Sequence, residues 1–223
     1  MKKPRPRRLA RLLLSLSILA LHACNRDEKS KLGSGSTAAT ASASRGTPLT
    51  DSNAEIAKYG FSASADSTIQ FVAADSTRNY AGSIRAFRGT VLVAHGRSRE
   101  ASVSVEIDVA SLQMNDTGLE TLLKSASFLD VHSFPRARFV STSVAPGGVQ
   151  GATDTLKGTL ELHGVTRPIE IPSTIHVGPS GVYLDAELRL SRTAFGLILP
   201  TNYQAAVNDE VVISLLIAAK REQ

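Results

Sequence analysis

Few residues in this chain are placed to do chemistry, and the first of them is Cys24. It is the only cysteine in 223 residues, so no intramolecular disulfide can form. It follows Leu21-His22-Ala23 at the end of an apolar run, a position suited to attaching a group to the sulfur. His95, His132 and His176 are scattered. No pair of them has the short spacing of a metal site on one strand or helix, so no metal is expected. There is no Gly-Xaa-Ser-Xaa-Gly elbow and no nucleophile with an evident base, so no catalytic residue is assigned. The segment His163-Gly164-Val165-Thr166-Arg167-Pro168 contains a histidine and an arginine but reads better as a hairpin. Gly164 permits a positive φ, Thr166 can bond locally within the turn, and Pro168 makes the residue before it extended. Arg138 and Arg192 could each meet an anionic group. The simpler expectation pairs them with an acid such as Asp209 or Glu210.

The elements that would position Cys24 come first. Lys2, Lys3, Arg5, Arg7, Arg8 and Arg11 precede the run Leu12–Leu21 with no acid among them, the layout of an export signal. A membrane-spanning helix needs roughly 20 apolar residues, about twice this run. Leu21-His22-Ala23-Cys24 resembles the lipobox of bacterial lipoproteins. That resemblance implies cleavage before Cys24 of a signal covering residues 1–23, a diacylglycerol on its sulfur, and attachment to a membrane of the cell envelope on the periplasmic side. His22 stands where Ser or Ala is commoner. Asn25, not an aspartate, follows the cysteine, which favours the outer membrane over the inner. Two or three acyl chains, at about 0.8 kcal/mol per buried CH₂, would hold the protein stably.

Removing the six basic residues of the signal from the 25 in the chain leaves 19 against 20 acidic ones, a net charge near −1. The high isoelectric point thus belongs to the signal, and nothing in the charge points to nucleic acid. Residues 24–55 shift to Ser, Gly, Ala and Thr with no periodic apolar face. They read as a flexible tether. Residues 56–223 remain as one domain, long enough to bury its own core.

Alternation sets the class of that domain. Val103, Val105, Ile107 and Val109 share one side, with Ser102, Ser104, Glu106 and Asp108 on the other. The same period recurs in Val182–Leu190, Leu156–Leu162, Ile169–Val177 and Val211–Ile217. Pro146-Gly147-Gly148, His163-Gly164 and Gly178-Pro179-Ser180-Gly181 punctuate these runs. Repeated antiparallel strands with one dry face predict an all-β barrel or sandwich. One stretch differs: Leu119, Leu122, Leu123 and Ala126 fall at helical spacing behind Asp116, a candidate N-cap. A short helix over one end of the barrel is expected there.

Four stretches, in order, resemble the YceI-like family. They are Leu122–Val131 with Phe134–Ser141, Gly158–Ile169 (Gly-Thr-Leu-Glu-Leu-His-Gly-Val-Thr-Arg-Pro-Ile), Leu190–Leu197 (Leu-Ser-Arg-Thr-Ala-Phe-Gly-Leu), and Asn208–Ile213. The resemblance covers roughly residues 58–220. It implies an extended, lipocalin-like antiparallel β-barrel whose interior tunnel accommodates a polyisoprenoid or similar long lipid. The chain departs from the family pattern near its start. Tyr59 fills an aromatic place, but Asp66 stands for a first histidine and Ala74-Asp75-Ser76-Thr77 lacks a second. Gly82, Phe87 and Gly89 follow in the family's spacing.

The expected tunnel lining is Phe71, Phe87, Val103, Val105, Ile107, Leu160, Leu184, Leu188 and Ile213. Periodicity alone fits a closed core equally well. Two functions therefore stand side by side. One is a lipid-anchored envelope protein that binds, carries or stores a long apolar lipid, with no other cofactor. The other is a closed barrel that serves a structural or interaction role without a small-molecule ligand. The absence of a catalytic constellation argues against an enzyme.

Overall fold

A computed structural model describes residues 55–201 and 207–222. The segments expected to be a signal (1–23) and a tether (24–55), with Cys24, lie outside the described residues except for Glu55. The elements are β1 (Ile56–Ser62), β2 (Thr68–Asp75), β3 (Asn79–Ile84), β4 (Phe87–Ala94), β5 (Ala101–Asp108), β6 (Leu112–Met114), α1 (Thr117–Lys124), β7 (Arg136–Pro146), β8 (Asp154–Leu162), β9 (Val165–Gly178), β10 (Gly181–Ser191) and β11 (Val207–Arg221). The described residues are mostly antiparallel strand, as the alternation predicts, with the short helix α1 at the stretch of helical spacing.

Eight strands close the barrel in the order β1-β4-β5-β7-β8-β9-β10-β11, and β11 returns to β1 through Tyr59–Arg221 and Gly60–Lys220. The closing strand serves two neighbours. Its last residues meet β1, while Val207–Leu216 pair with β2. Strands β2, β3 and β6 thus form a flap that extends the wall beyond the eight-stranded ring. Pairing β11 with β1 removes the two free edges that the eight strands would expose as an open sheet.

Local chemistry sets the joints. His163 and Gly164, at φ 51° and 71°, make a two-residue turn between Leu162 and Val165, the mirror-image geometry that suits the twist of a hairpin. The turn is tighter than expected. Thr166 and Pro168 already stand in β9, opposite Glu161 and Thr159, so Thr166 belongs to the ladder and makes no turn bond. Proline is tolerated here because β9 pairs with β10 only from Ser173 onward. Its first half has β8 as its one strand neighbour, and an unpaired side accepts a missing N–H. In β7 the register shifts between Ser141 and Ser143. The extra residue, Thr142, turns Val144 back into the core after Ala137, Phe139 and Ser141 have faced it.

Helix α1 begins at Asp116, whose side chain accepts from the Leu119 N–H at 2.9 Å. It ends at Lys124, so Ala126 lies beyond it and is exposed.

Candidate functional site

Inward positions of the strands meet around one cavity of about 720 Å³. Phe71, Val103, Val105, Ile107, Leu160, Leu184, Leu188 and Ile213 all line it. Phe87, the ninth expected lining residue, does not. It is 6% exposed and packs against Phe61, with ring centroids 6.5 Å apart. Phe87 therefore belongs to the solid part of the core. Phe61 and Phe139, which the sequence reading did not single out, take part in the lining instead.

The helix contributes directly. Leu119, Leu122 and Leu123 form part of the cavity wall, so their helical spacing turns one apolar stripe toward the lumen. Phe128 and Leu129, in the loop that follows, continue it. At the opposite end the barrel is packed shut: Tyr59, Val93, Ala101 and Ala219 are buried there and lie near the turns that join β4 to β5 and β9 to β10.

Among the described residues, polar side chains enter the lining at five positions: Asp75, Arg78, Tyr80, Asp116 and Arg192. They share a rim. Asp75 pairs in register with Val207, whose carbonyl accepts from Arg192 Nη2 at 3.4 Å. Asp75 organises the β2–β3 turn. Its carboxylate accepts from the Thr77 N–H at 2.6 Å, the Thr77 hydroxyl at 2.6 Å, the Arg78 N–H at 2.8 Å and the Tyr80 hydroxyl. The hydroxyl bonds of Thr77 and Tyr80 hold its carboxyl well below the usual carboxylate range. Arg78 Nε donates to the Tyr80 hydroxyl at 2.8 Å, and its guanidinium carbon stands 5.0 Å from the centre of the Tyr80 ring. This bond with Tyr80 raises the Arg78 pKa further. The region where the family's second histidine is missing is thus the site of the turn clamp. An Asp two residues before a Thr at a strand end is the one sequence signal that could have marked it.

Arg192 is 6% exposed and makes no ion pair with Asp209 or Glu210. It donates to three backbone carbonyls: Leu197 at 3.0 Å, Asn208 at 3.3 Å and Val207 at 3.4 Å. Asp209 instead accepts from the Ser191 hydroxyl and from the Thr193 N–H at 2.9 Å. These bonds, the Ser191 one foremost, lower its pKa. Glu210 pairs with Arg189 at 2.8 Å. Arg138 likewise meets neither acid. It stands in β7 between Glu106 and Glu161 on the neighbouring strands, facing outward. Arg192 and its loop fill the splay between β9 and β10. Arg167 Nε donates to the Ala194 carbonyl, and Gly196 lies beside His163. The histidine ring packs edge-on against Phe134 at 4.6 Å, so the His163–Pro168 segment acts as a joint. No cluster of three or more His, Cys, Asp or Glu suited to a metal occurs among the described residues.

The YceI-like domain family matches residues 62–219, and the chain belongs to that family; solved structures share its antiparallel barrel fold. A crystal structure of BcnA from Burkholderia cenocepacia superposes with a TM-score of 0.63 at 24% identity, over 70% of this chain and 98% of that one. A polyisoprenoid binding domain from Saccharophagus degradans, implicated in plant cell wall breakdown, gives a TM-score of 0.56 at 12% identity, over 75% of this chain and all of that one. A UPF0312 protein of Pseudomonas putida strain W619 is 36% identical over 95 residues, which is 43% of this chain. The chain spans about half the length of the curated relatives it matches.

Proposed function

We propose that this protein binds a long apolar lipid of the polyisoprenoid class inside its barrel, as a carrier or store. We further propose that it is held by lipid on Cys24 at the periplasmic side of the cell envelope, on the outer membrane in preference to the inner. The observation that carries the first part is the cavity: about 720 Å³, walled by aliphatic and aromatic side chains, with the five polar groups among the described residues gathered at one rim. That volume falls within the roughly 300–1,000 Å³ of small-molecule sites. A lining of this kind rewards each buried methylene by about 0.8 kcal/mol and offers nothing to a charged or strongly hydrated ligand along its length. The eight lining residues that alternation marks, Phe71, Val103, Val105, Ile107, Leu160, Leu184, Leu188 and Ile213, are the proposed lipid contacts. The fold shared with a polyisoprenoid binding domain supports the same reading. No catalytic role is proposed.

The test is native mass spectrometry of the Cys24→Ser variant, purified without detergent from its expression host, together with organic extraction of the same sample. A stoichiometric adduct that extracts as a polyprenyl or similar chain is expected. An empty mass, unchanged after incubation with polyprenyl lipids, would leave the filled-barrel, protein-partner reading. The anchor is checked separately. The parent protein should carry a labelled fatty acid and sediment with membranes, whereas the Cys24→Ser variant should do neither.

A further inference from the structure

The rim contains one set of hydrogen-bond donors without a protein partner among the described residues. Arg78 lines the cavity, and its side chain is 72% exposed. Its Nε is committed to Tyr80, and Asp75 Oδ2 lies 3.7 Å from that same nitrogen. The two terminal Nη groups have no hydrogen-bond partner among the described residues. The guanidinium is nevertheless oriented by one hydrogen bond and an aromatic ring. Tyr80 lies beneath it, Asp75 holds Tyr80, and Thr77 and the Arg78 N–H hold Asp75. A pre-positioned planar fork at the end of an apolar lumen is a device for receiving oxygen atoms.

Charge decides which oxygens. Among the described residues, the charged groups that line the cavity are Asp75 and Asp116 against Arg78 and Arg192, so the two signs cancel. Arg192 has no free role, because Nε, Nη1 and Nη2 already donate to three carbonyls. A phosphate seated on Arg78 would face Asp75 and Asp116 with no spare cation beside it. An uncharged oxygen takes the same donors without that repulsion. Building on the lipid-site reading above, we propose that Arg78 is a headgroup-recognition residue, and that the lipid ends in a neutral hydrogen-bond-accepting group such as an ester, ketone or hydroxyl oxygen.

Three probes test this on the full chain by native mass spectrometric titration: geranylgeranyl acetate, geranylgeranyl monophosphate, and phytane, a hydrocarbon of the same carbon skeleton. The parent protein should bind the acetate about tenfold more tightly than phytane, the gain expected of one hydrogen bond to a charged donor. It should bind the monophosphate no better than the acetate. Arg78→Met should bring acetate and phytane to parity, and continued binding of phytane by this variant reports an intact lumen. Tyr80→Phe, which releases Arg78 Nε, should weaken the acetate preference in the same way. Equal binding of acetate and phytane by the parent, or an acetate preference that survives Arg78→Met, would overturn the role of Arg78. Tighter binding of the monophosphate would overturn the neutral head. Failure of all three probes, phytane included, would instead overturn the lipid-site reading on which this rests.

Discussion

The ring of Phe71 rests on the backbone of Gly82, its direct partner across the β2–β3 pair. A Cβ on Gly82 would collide with the tip of that ring and lie 2.7 Å from the Gln113 carbonyl. Phe61 covers its partner Gly89 in the same way, and Phe139 reaches over Gly158 on β8. All three phenylalanines line the cavity. The glycines let the ring tips lean along the wall, which keeps the lumen open. Gly82→Ala should therefore cost about 1–3 kcal/mol, the range for overpacking a tight site, and drive the Phe71 ring inward. Urea denaturation reads the first effect and lipid bound per protein the second. A variant with parental stability and an unchanged lipid load would refute the account.

Asp116 secures the part of the wall that is helical. Its carboxylate takes the Leu119 N–H at the first turn of α1, and Leu119, Leu122 and Leu123 face the lumen. Asp116→Ala should cost about 1 kcal/mol. The loss should be local: hydrogen exchange should quicken at the α1 amides and stay unchanged in β8 through β10. Uniform acceleration across the barrel would mean that the cap supports the whole fold.

The strands were legible because one face of each is dry. Ala101–Asp108 and, from Val182 onward, Gly181–Ser191 show this alternation. The β7 bulge was not, because Thr142-Ser143 carries no hydrophobic signal to reveal a change of face. Phe87 shows a second limit. It faces inward like Val91, but whether an inward residue meets the lumen or a neighbour depends on strand stagger and on Phe61 beside it. The Arg192 partners left no trace either, since backbone carbonyls have no side-chain identity. The rim was hidden for a related reason. Asp75 and Arg78 look like any polar strand end until closure of the barrel brings them to the lumen.

Asp75 gives the rim a pH dependence. Its folded pKa is depressed, chiefly by the Thr77 and Tyr80 hydroxyls. The stability it contributes is therefore fully present above its unfolded value, about 3.9, and is lost as pH falls below that toward the folded value. Asp75→Asn should be less stable than the parent at pH 7. The gap should shrink once the pH drops under about 4. Denaturant melts of both proteins at neutral and acid pH would show it, and a gap independent of pH would exclude this carboxylate as the source.

Arg192 poses the opposite problem, a cation that is buried without a carboxylate against it. It is tolerable only because the fork reaches carbonyls on both sides of the loop that follows β10: Leu197 on one side, Val207 and Asn208 on the other. The side chain thus ties the two halves of that connection together where β9 and β10 no longer pair. Arg192→Met fills similar space but leaves those carbonyls without their donor. Leaving a buried polar group unsatisfied costs about 1–3 kcal/mol, and a destabilisation in that range is expected from chemical denaturation. Arg192→Lys keeps the charge but has one ammonium in place of a planar fork, so it should recover only part of the loss. If the charge itself mattered, Lys would restore full stability. If only volume mattered, Met would be neutral. An order of stability in which Arg exceeds Lys and Lys exceeds Met is the outcome that the three-carbonyl geometry requires.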